Sequence, residues 1–115
     1  MKFVIDRKTW FRGRGAEHSK LLRKDGRMCC IGQIAKLCQV PEDKILDISD
    51  LSPLRFHGGM SSFPSWFRIA DTDMESTDLS ECYGINDDED CDDDFREASL
   101  KKIFARHGDE LEFVN

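Results

Sequence analysis

The chain has 115 residues, 39% of them hydrophobic, with eight Phe and two Trp, which suffices for one modest core and argues against a disordered chain. No window is apolar over the length of a membrane span, and Met1-Lys2-Phe3-Val4-Ile5-Asp6 is charged too early for a signal peptide, so a cytosolic protein is expected and its five cysteines are expected as reduced thiols. The net charge of −6 conceals an asymmetry: residues 1–40 carry ten Lys/Arg against three Asp/Glu (+7), residues 41–115 seven against twenty (−13). A basic third and an acidic remainder can pair within the fold, or each can meet a partner.

In chain order, Lys2 to Asp6 alternates, with Phe3 and Ile5 on one side, and predicts a short strand. Lys8 to Gly15 is a Gly-punctuated loop carrying Trp10, Phe11, Arg12 and Arg14. Trp10 with Arg12 and Arg14 could stack a base and grip a phosphate, or Trp10 and Phe11 could fill the core. The Gly-Lys-Ser/Thr ending of a phosphate loop is absent. Asp25-Gly26 is a strong turn signal and suggests a hairpin of Lys20–Arg23 with Arg27–Cys30.

A helix is predicted over 30–39, stopped by Pro41, with Cys30, Ile31, Ile34, Leu37 and Cys38 on one face and Gly32, Gln33 and Lys36 on the other. Cys29 falls with the polar set at the helix N-terminus, where backbone N–H groups would lower a thiol pKa. With His18 or His57 nearby it would form a thiol-enzyme pair, Cys29 as the nucleophile. No Cys-x-x-Cys pair points to zinc.

Pro41 to Leu54 reads as a connector with a helical turn after Pro41-Glu42-Asp43, and Arg55 to Ser65 as loop. Trp66 to Ala70 reads as a buried strand or short helix, two assignments that periodicity leaves open. Ser76 or Thr77 can cap a helix over 77–84, with Leu79, Cys82 and Tyr83 at helical spacing. Asp94 with Glu97 makes a capping-box-like start to a helix over 94–107, with Leu100, Ile103 and Phe104 as its buried stripe and Gly108 as its left-handed stop. Glu110 to Val114 alternates and predicts the last strand. The expected fold is α+β, a single domain over 1–115. A small antiparallel-containing sheet would hold both terminal strands, packed against two or three helices.

The ordered set Lys8-x-Trp10-x-Arg12-Gly13, Met28-Cys29-Cys30-x-Gly32, Ile85-Asn86-Asp87-Asp88, Arg96-Glu97-x-x-Leu100 and Phe104-x-x-x-Gly108-x-Glu110-x-Glu112-Phe113-Val114 resembles a group of small hypothetical proteins encoded by tailed bacteriophages and prophages. The resemblance implies a phage accessory protein in the cytoplasm of an infected bacterial host. Many such proteins bind and inhibit host machinery, restriction and CRISPR systems included. It supplies no activity for any single residue.

The acidic run Asn86 to Asp94 is open to three readings. Oxygen-bearing side chains fall at the EF-hand positions (Asn86, Asp88, Asp90, Asp92, Asp94, Glu97), but Cys91 stands where the sharp turn needs glycine, and no metal is expected. The carboxylates of Asp87, Asp88, Glu89, Asp90, Asp92, Asp93 and Asp94 could present a DNA-mimicking negative line to a basic groove. Or the run is a solvated helix N-terminus. The leading expectation is an inhibitor of a host nucleic-acid-handling or defence complex, anti-CRISPR-like, whose partner is a host protein or nucleoprotein complex met through this acidic surface. No cofactor, no membrane and no direct nucleic-acid contact are expected. A thiol enzyme using Cys29 and His57 and a small nucleotide sponge are the alternatives.

Overall fold

In the computed structural model, residues 1–12, 20–57, 63–67 and 75–115 are described, apart from the side chains of residues 55–57. The alternation at the two ends of the chain becomes two strands, β1 (Lys2–Asp6) and β2 (Glu110–Val114). They pair in register Phe3↔Leu111 and Ile5↔Phe113, so the four apolar side chains lie on one face and are buried. The pairing is parallel, which corrects the antiparallel expectation. An alternating pattern fixes which face is buried but carries no direction, and a connection spanning nearly the whole chain permits either. Arg23–Arg27 closes a turn through the Gly26 N–H to the Arg23 carbonyl (2.9 Å), with Gly26 at φ 89°. Its flanks do not extend into a hairpin: Met28 bridges Trp10 and Leu22 bridges Leu46, each in parallel.

Helix α1 (Cys30–Leu37) follows, then the single turn α2 (Glu42–Ile45), α3 (Thr77–Asp87) and α4 (Asp93–Arg106). Helix α4 packs on β2, α1 on β1, and α3 joins α1 to α4. The predicted stripe of α4 is the buried one, Leu100, Ile103 and Phe104. Ser76 caps α3 by accepting the Leu79 N–H, and Gly108 ends α4 at φ 77°. Helix α1 departs from its predicted two-faced pattern: Gly32 and Gln33 are buried and Leu37 is 52% exposed. The reason is local. Gly32 lies against the Leu21 backbone, while the Gln33 amide accepts the Asp6 N–H (2.8 Å) and donates to the Asp6 carbonyl (3.0 Å), occupying that end of the β1 edge.

The middle of the chain adds short 3-10 helices, Ser52–His57 and Ser65–Phe67, so Trp66 and Phe67 take the helical of the two assignments. The Trp66 ring stacks on His107 (4.2 Å, 3°), its indole N–H donates to Asp109 (2.8 Å), and His107 bonds Asp78 at the start of α3 (2.7 Å). The radius of gyration, 13.1 Å, is that of one domain of this length.

Candidate functional site

The acidic run occupies the connection between α3 and α4. Its first two residues end α3, where Leu79, Cys82 and Asn86 fall at i, i+3 and i+7 and are buried. Asn86 therefore points into the core. Its Oδ1 accepts the Trp10 indole N–H (2.7 Å) and the Cys30 backbone N–H (3.0 Å), and its amide donates to the Phe11 carbonyl (3.1 Å). One side chain thus joins the N-terminal loop, the start of α1 and the end of α3.

The far end of the run is held by a second buried polar group. Arg96 stands one turn before Leu100 on the buried stripe of α4 and is 2% exposed. Its guanidinium donates to the Ile85 carbonyl (3.1 Å), to the Asp88 carbonyl and to Asp93 Oδ1 (2.6 Å). The other oxygen of Asp93 receives Arg12 (2.8 Å). The planar fork of arginine suits this simultaneous contact with two carbonyls and a carboxylate. The sequence marks Asn86 as a calcium-loop position and both residues within the motifs of the resemblance, not as buried anchors, yet each stands in an apolar stripe at helical spacing, the signal that marks a polar side chain as buried and paired.

Between these anchors the backbone turns on its own side chains. Asp88 Oδ1 accepts the Asp90 N–H (2.9 Å), and Asp92 caps α4 by accepting the Phe95 N–H (2.8 Å). Asp92, not Asp94, is the cap, because Asp93 is claimed by the two arginines and Glu97 is held by Arg7 (2.7 and 2.8 Å) instead of reaching back. That leaves Asp88, Glu89, Asp90, Asp92 and Asp94 exposed, Asp87 and Asp93 half-buried, and Phe95, 62% exposed, in their midst. The calcium register does not converge: Asn86 is in the core and Glu97 is on Arg7. Among the described residues, no three His, Cys, Asp or Glu side chains are grouped to hold a metal ion.

The charge asymmetry is partly internal. Lys2 meets Glu112 (2.7 Å), Arg7 meets Glu97 and Arg12 meets Asp93. The Lys2 contact lowers the Glu112 carboxyl pKa and raises that of the lysine.

The other sequence-derived sites fare differently. Cys29 is at the N-terminus of α1 as expected and its sulfur accepts the Gly32 N–H (3.4 Å), but it is buried at 2% exposure. Burial outweighs the backbone donors and pushes the thiol up to about 12, the reverse of the expected lowering. His18 and the His57 side chain, the proposed partners of Cys29, lie outside the described residues. Trp10 is buried, with Phe113 at 5.0 Å and the Arg12 guanidinium at 4.7 Å over its ring, so its surfaces are taken and it does not offer a base-stacking platform. Arg14 lies outside the described residues. All five cysteines are free, and no helix among the described residues is long and apolar enough to cross a membrane.

No protein-family model, no curated protein and no solved structure matches the chain.

Proposed function

We propose that this protein is a stoichiometric binding protein, a phage-encoded inhibitor of a host nucleic-acid-handling or defence complex, which meets its partner through the acidic shoulder at the start of α4. The observation that carries the reading is the division of labour within residues 87–94. Asp93 and the backbone of Asp88 are fixed to buried Arg96, while the side chains of Glu89, Asp90 and Asp94 are exposed and make no hydrogen bond among the described residues. Carboxylates on an ordered frame lose little conformational freedom on binding, and a basic groove that normally holds phosphates fits such a surface electrostatically. Phe95 gives the shoulder an apolar centre within a charged rim, the anatomy of protein interfaces.

The test uses exposed side chains of the shoulder. The triple variant Glu89→Gln, Asp90→Asn, Asp94→Asn and the single variant Phe95→Ala are compared with the unaltered protein in capture from bacterial lysate at low and high salt. A partner retained at low salt, lost as salt rises and lost from the triple variant supports the proposal. A partner held equally by all three proteins would sink it.

A further inference from the structure

The two-stranded sheet has an open edge. The Met1 carbonyl accepts the Glu110 N–H (2.8 Å) and the Arg7 N–H donates to the Val114 carbonyl (2.9 Å), so residues 1, 3, 5 and 7 face β2. Lys2, Val4 and Asp6 therefore turn their backbone groups the other way. At Asp6 those groups are taken by the Gln33 amide, which stands where a third strand would lie. The N–H and C=O of Lys2 and Val4 have no hydrogen-bond partner among the described residues. A strand edge left open in this way is a template for another strand.

The edge is also apolar. Met1, Val4 and Leu37 are three of the five large hydrophobic side chains exposed among the described residues, and all three line a hollow of about 410 Å³ between β1 and the C-terminal end of α1. Val4 and Leu37 also line a second hollow, of about 540 Å³, that reaches Asp6 and Gln33, so one groove follows the edge. Lys2 is a charge of the kind that protects an edge, but it is turned back onto Glu112 of β2 (2.7 Å). Strand β2 itself exposes no large apolar side chain.

We propose that the edge of β1 pairs with that of a second copy of this chain, antiparallel about a two-fold axis at Phe3. In that register Lys2 exchanges both backbone bonds with Val4 of the second copy, and Val4 does so with its Lys2. The two free residues of each copy thus make four hydrogen bonds and leave no edge group over. This self-complementarity is what identifies the occupant: the free edge spans only Lys2 to Val4, and β1 carries its complement. Moving the axis to Val4 would set Lys2 against Asp6, whose groups Gln33 holds, so the glutamine fixes the register. The same rotation brings Met1, Val4 and Leu37 of both copies together and extends a sheet of two strands to one of four. Each Lys2 enters the contact neutralised by its own Glu112. No residue of the acidic shoulder lines the groove, so the inference stands apart from the function proposed above.

Sedimentation velocity of the full chain over about a hundredfold range of concentration is expected to show the 13.3 kDa monomer giving way to a species of twice that mass. Exchange of the Lys2 and Val4 amides should slow as the dimer forms, while that of Phe3 and Ile5, which face β2, changes less. Val4→Pro removes an edge N–H without taking a bond from β2, at the kind of strand position that accepts proline, and is expected to weaken the dimer by about tenfold or more. Leu37→Lys, at an exposed position of α1, is expected to weaken it several-fold and keeps the test decisive if the proline variant fails to fold. A chain that stays monomeric at every concentration, whether its edge takes a peptide of another protein or nothing, would overturn the proposal. So would a dimer that both variants leave intact, or Lys2 and Val4 amides whose exchange does not change with concentration.

Discussion

Asn86 Oδ1 accepts the Trp10 indole N–H at 2.7 Å across a separation of 76 residues, inside a core where both side chains are almost wholly buried. The same oxygen accepts the Cys30 N–H and the same side chain satisfies the Phe11 carbonyl. Replacing Asn86 with Ala leaves three buried polar groups unsatisfied at about 1–3 kcal/mol each, not fully additive, so a loss of about 3–5 kcal/mol is expected. Urea unfolding measures it, and a loss under about 1 kcal/mol would show that water replaces the amide at little cost.

Arg96 holds the acidic run to the fold through two carbonyls and Asp93. Arg96→Lys keeps the charge and the helix propensity but cannot serve all three acceptors, so about 2–4 kcal/mol of stability is expected to be lost. The informative readout is local. Amide exchange of residues 88–93 should accelerate more than that of Leu100 to Phe104. Uniform acceleration would mean that Arg96 supports the core alone and does not order the shoulder.

The elements that could be read from the chain are those whose pattern depends on one face being buried. The stripe Leu100, Ile103, Phe104 and the alternations Phe3, Ile5 and Leu111, Phe113 were legible for that reason. Strand direction was not, since period two is the same read either way. The cap of α4 was not, because Asp92, Asp93 and Asp94 are chemically equivalent until Arg12 and Arg96 claim Asp93. The buried face of Gly32 and Gln33 depends on a distant backbone segment in each case, Leu21 and Asp6, which no local period encodes. Asn86 and Arg96 were visible in principle as polar residues in apolar stripes. The carboxylates that surround them in sequence carry the opposite signal, that of a solvated surface.

Thiol burial sets an alkaline limit. Burial pushes Cys29 and Cys82 up to about 12 and raises Cys30 and Tyr83 as well. A group whose pKa is higher folded than unfolded gives stability that is present below its unfolded pKa and lost as pH rises toward the folded value. Stability is therefore expected to hold to about pH 8.5 and then to fall, by up to about 1.4 kcal/mol per pH unit for each such group, between about pH 9 and 12. Thermal melts against pH, with Cys82→Ala showing a shallower decline, check this. At neutral pH the same burial predicts that Cys91, which is half-buried, alkylates before Cys29, Cys30 and Cys82. Mass spectrometry of partly labelled protein decides it, and fast labelling of Cys29 would contradict the buried thiol.

Two helical glycines give opposite signs to one substitution. Ala normally stabilises a helix interior by about 0.5–1 kcal/mol over Gly. At Gly84 in α3 an added Cβ meets nothing within 4 Å, so Gly84→Ala should show that gain and raise Tm by a few degrees. At Gly32 in α1 the same Cβ would stand 1.8 Å from the Leu21 carbonyl oxygen and 2.5 Å from its carbon. The Leu21 segment cannot yield cheaply: its N–H is bonded to the Ile48 carbonyl (2.8 Å), and the neighbouring Lys20 carbonyl accepts the Cys29 N–H (3.0 Å). Relief of the clash must move α1 off that segment, dragging the Gln33 contacts with β1 and the Cys30 contact with Asn86. Gly32→Ala should therefore cost several kcal/mol, outweighing propensity, and leave little folded protein at 37 °C. Circular dichroism melts of the two variants side by side check the pair. A Gly32→Ala protein as stable as Gly84→Ala would mean that α1 does not dock on the Leu21 backbone and that the frame joining β1, α1 and the acidic shoulder is assembled differently.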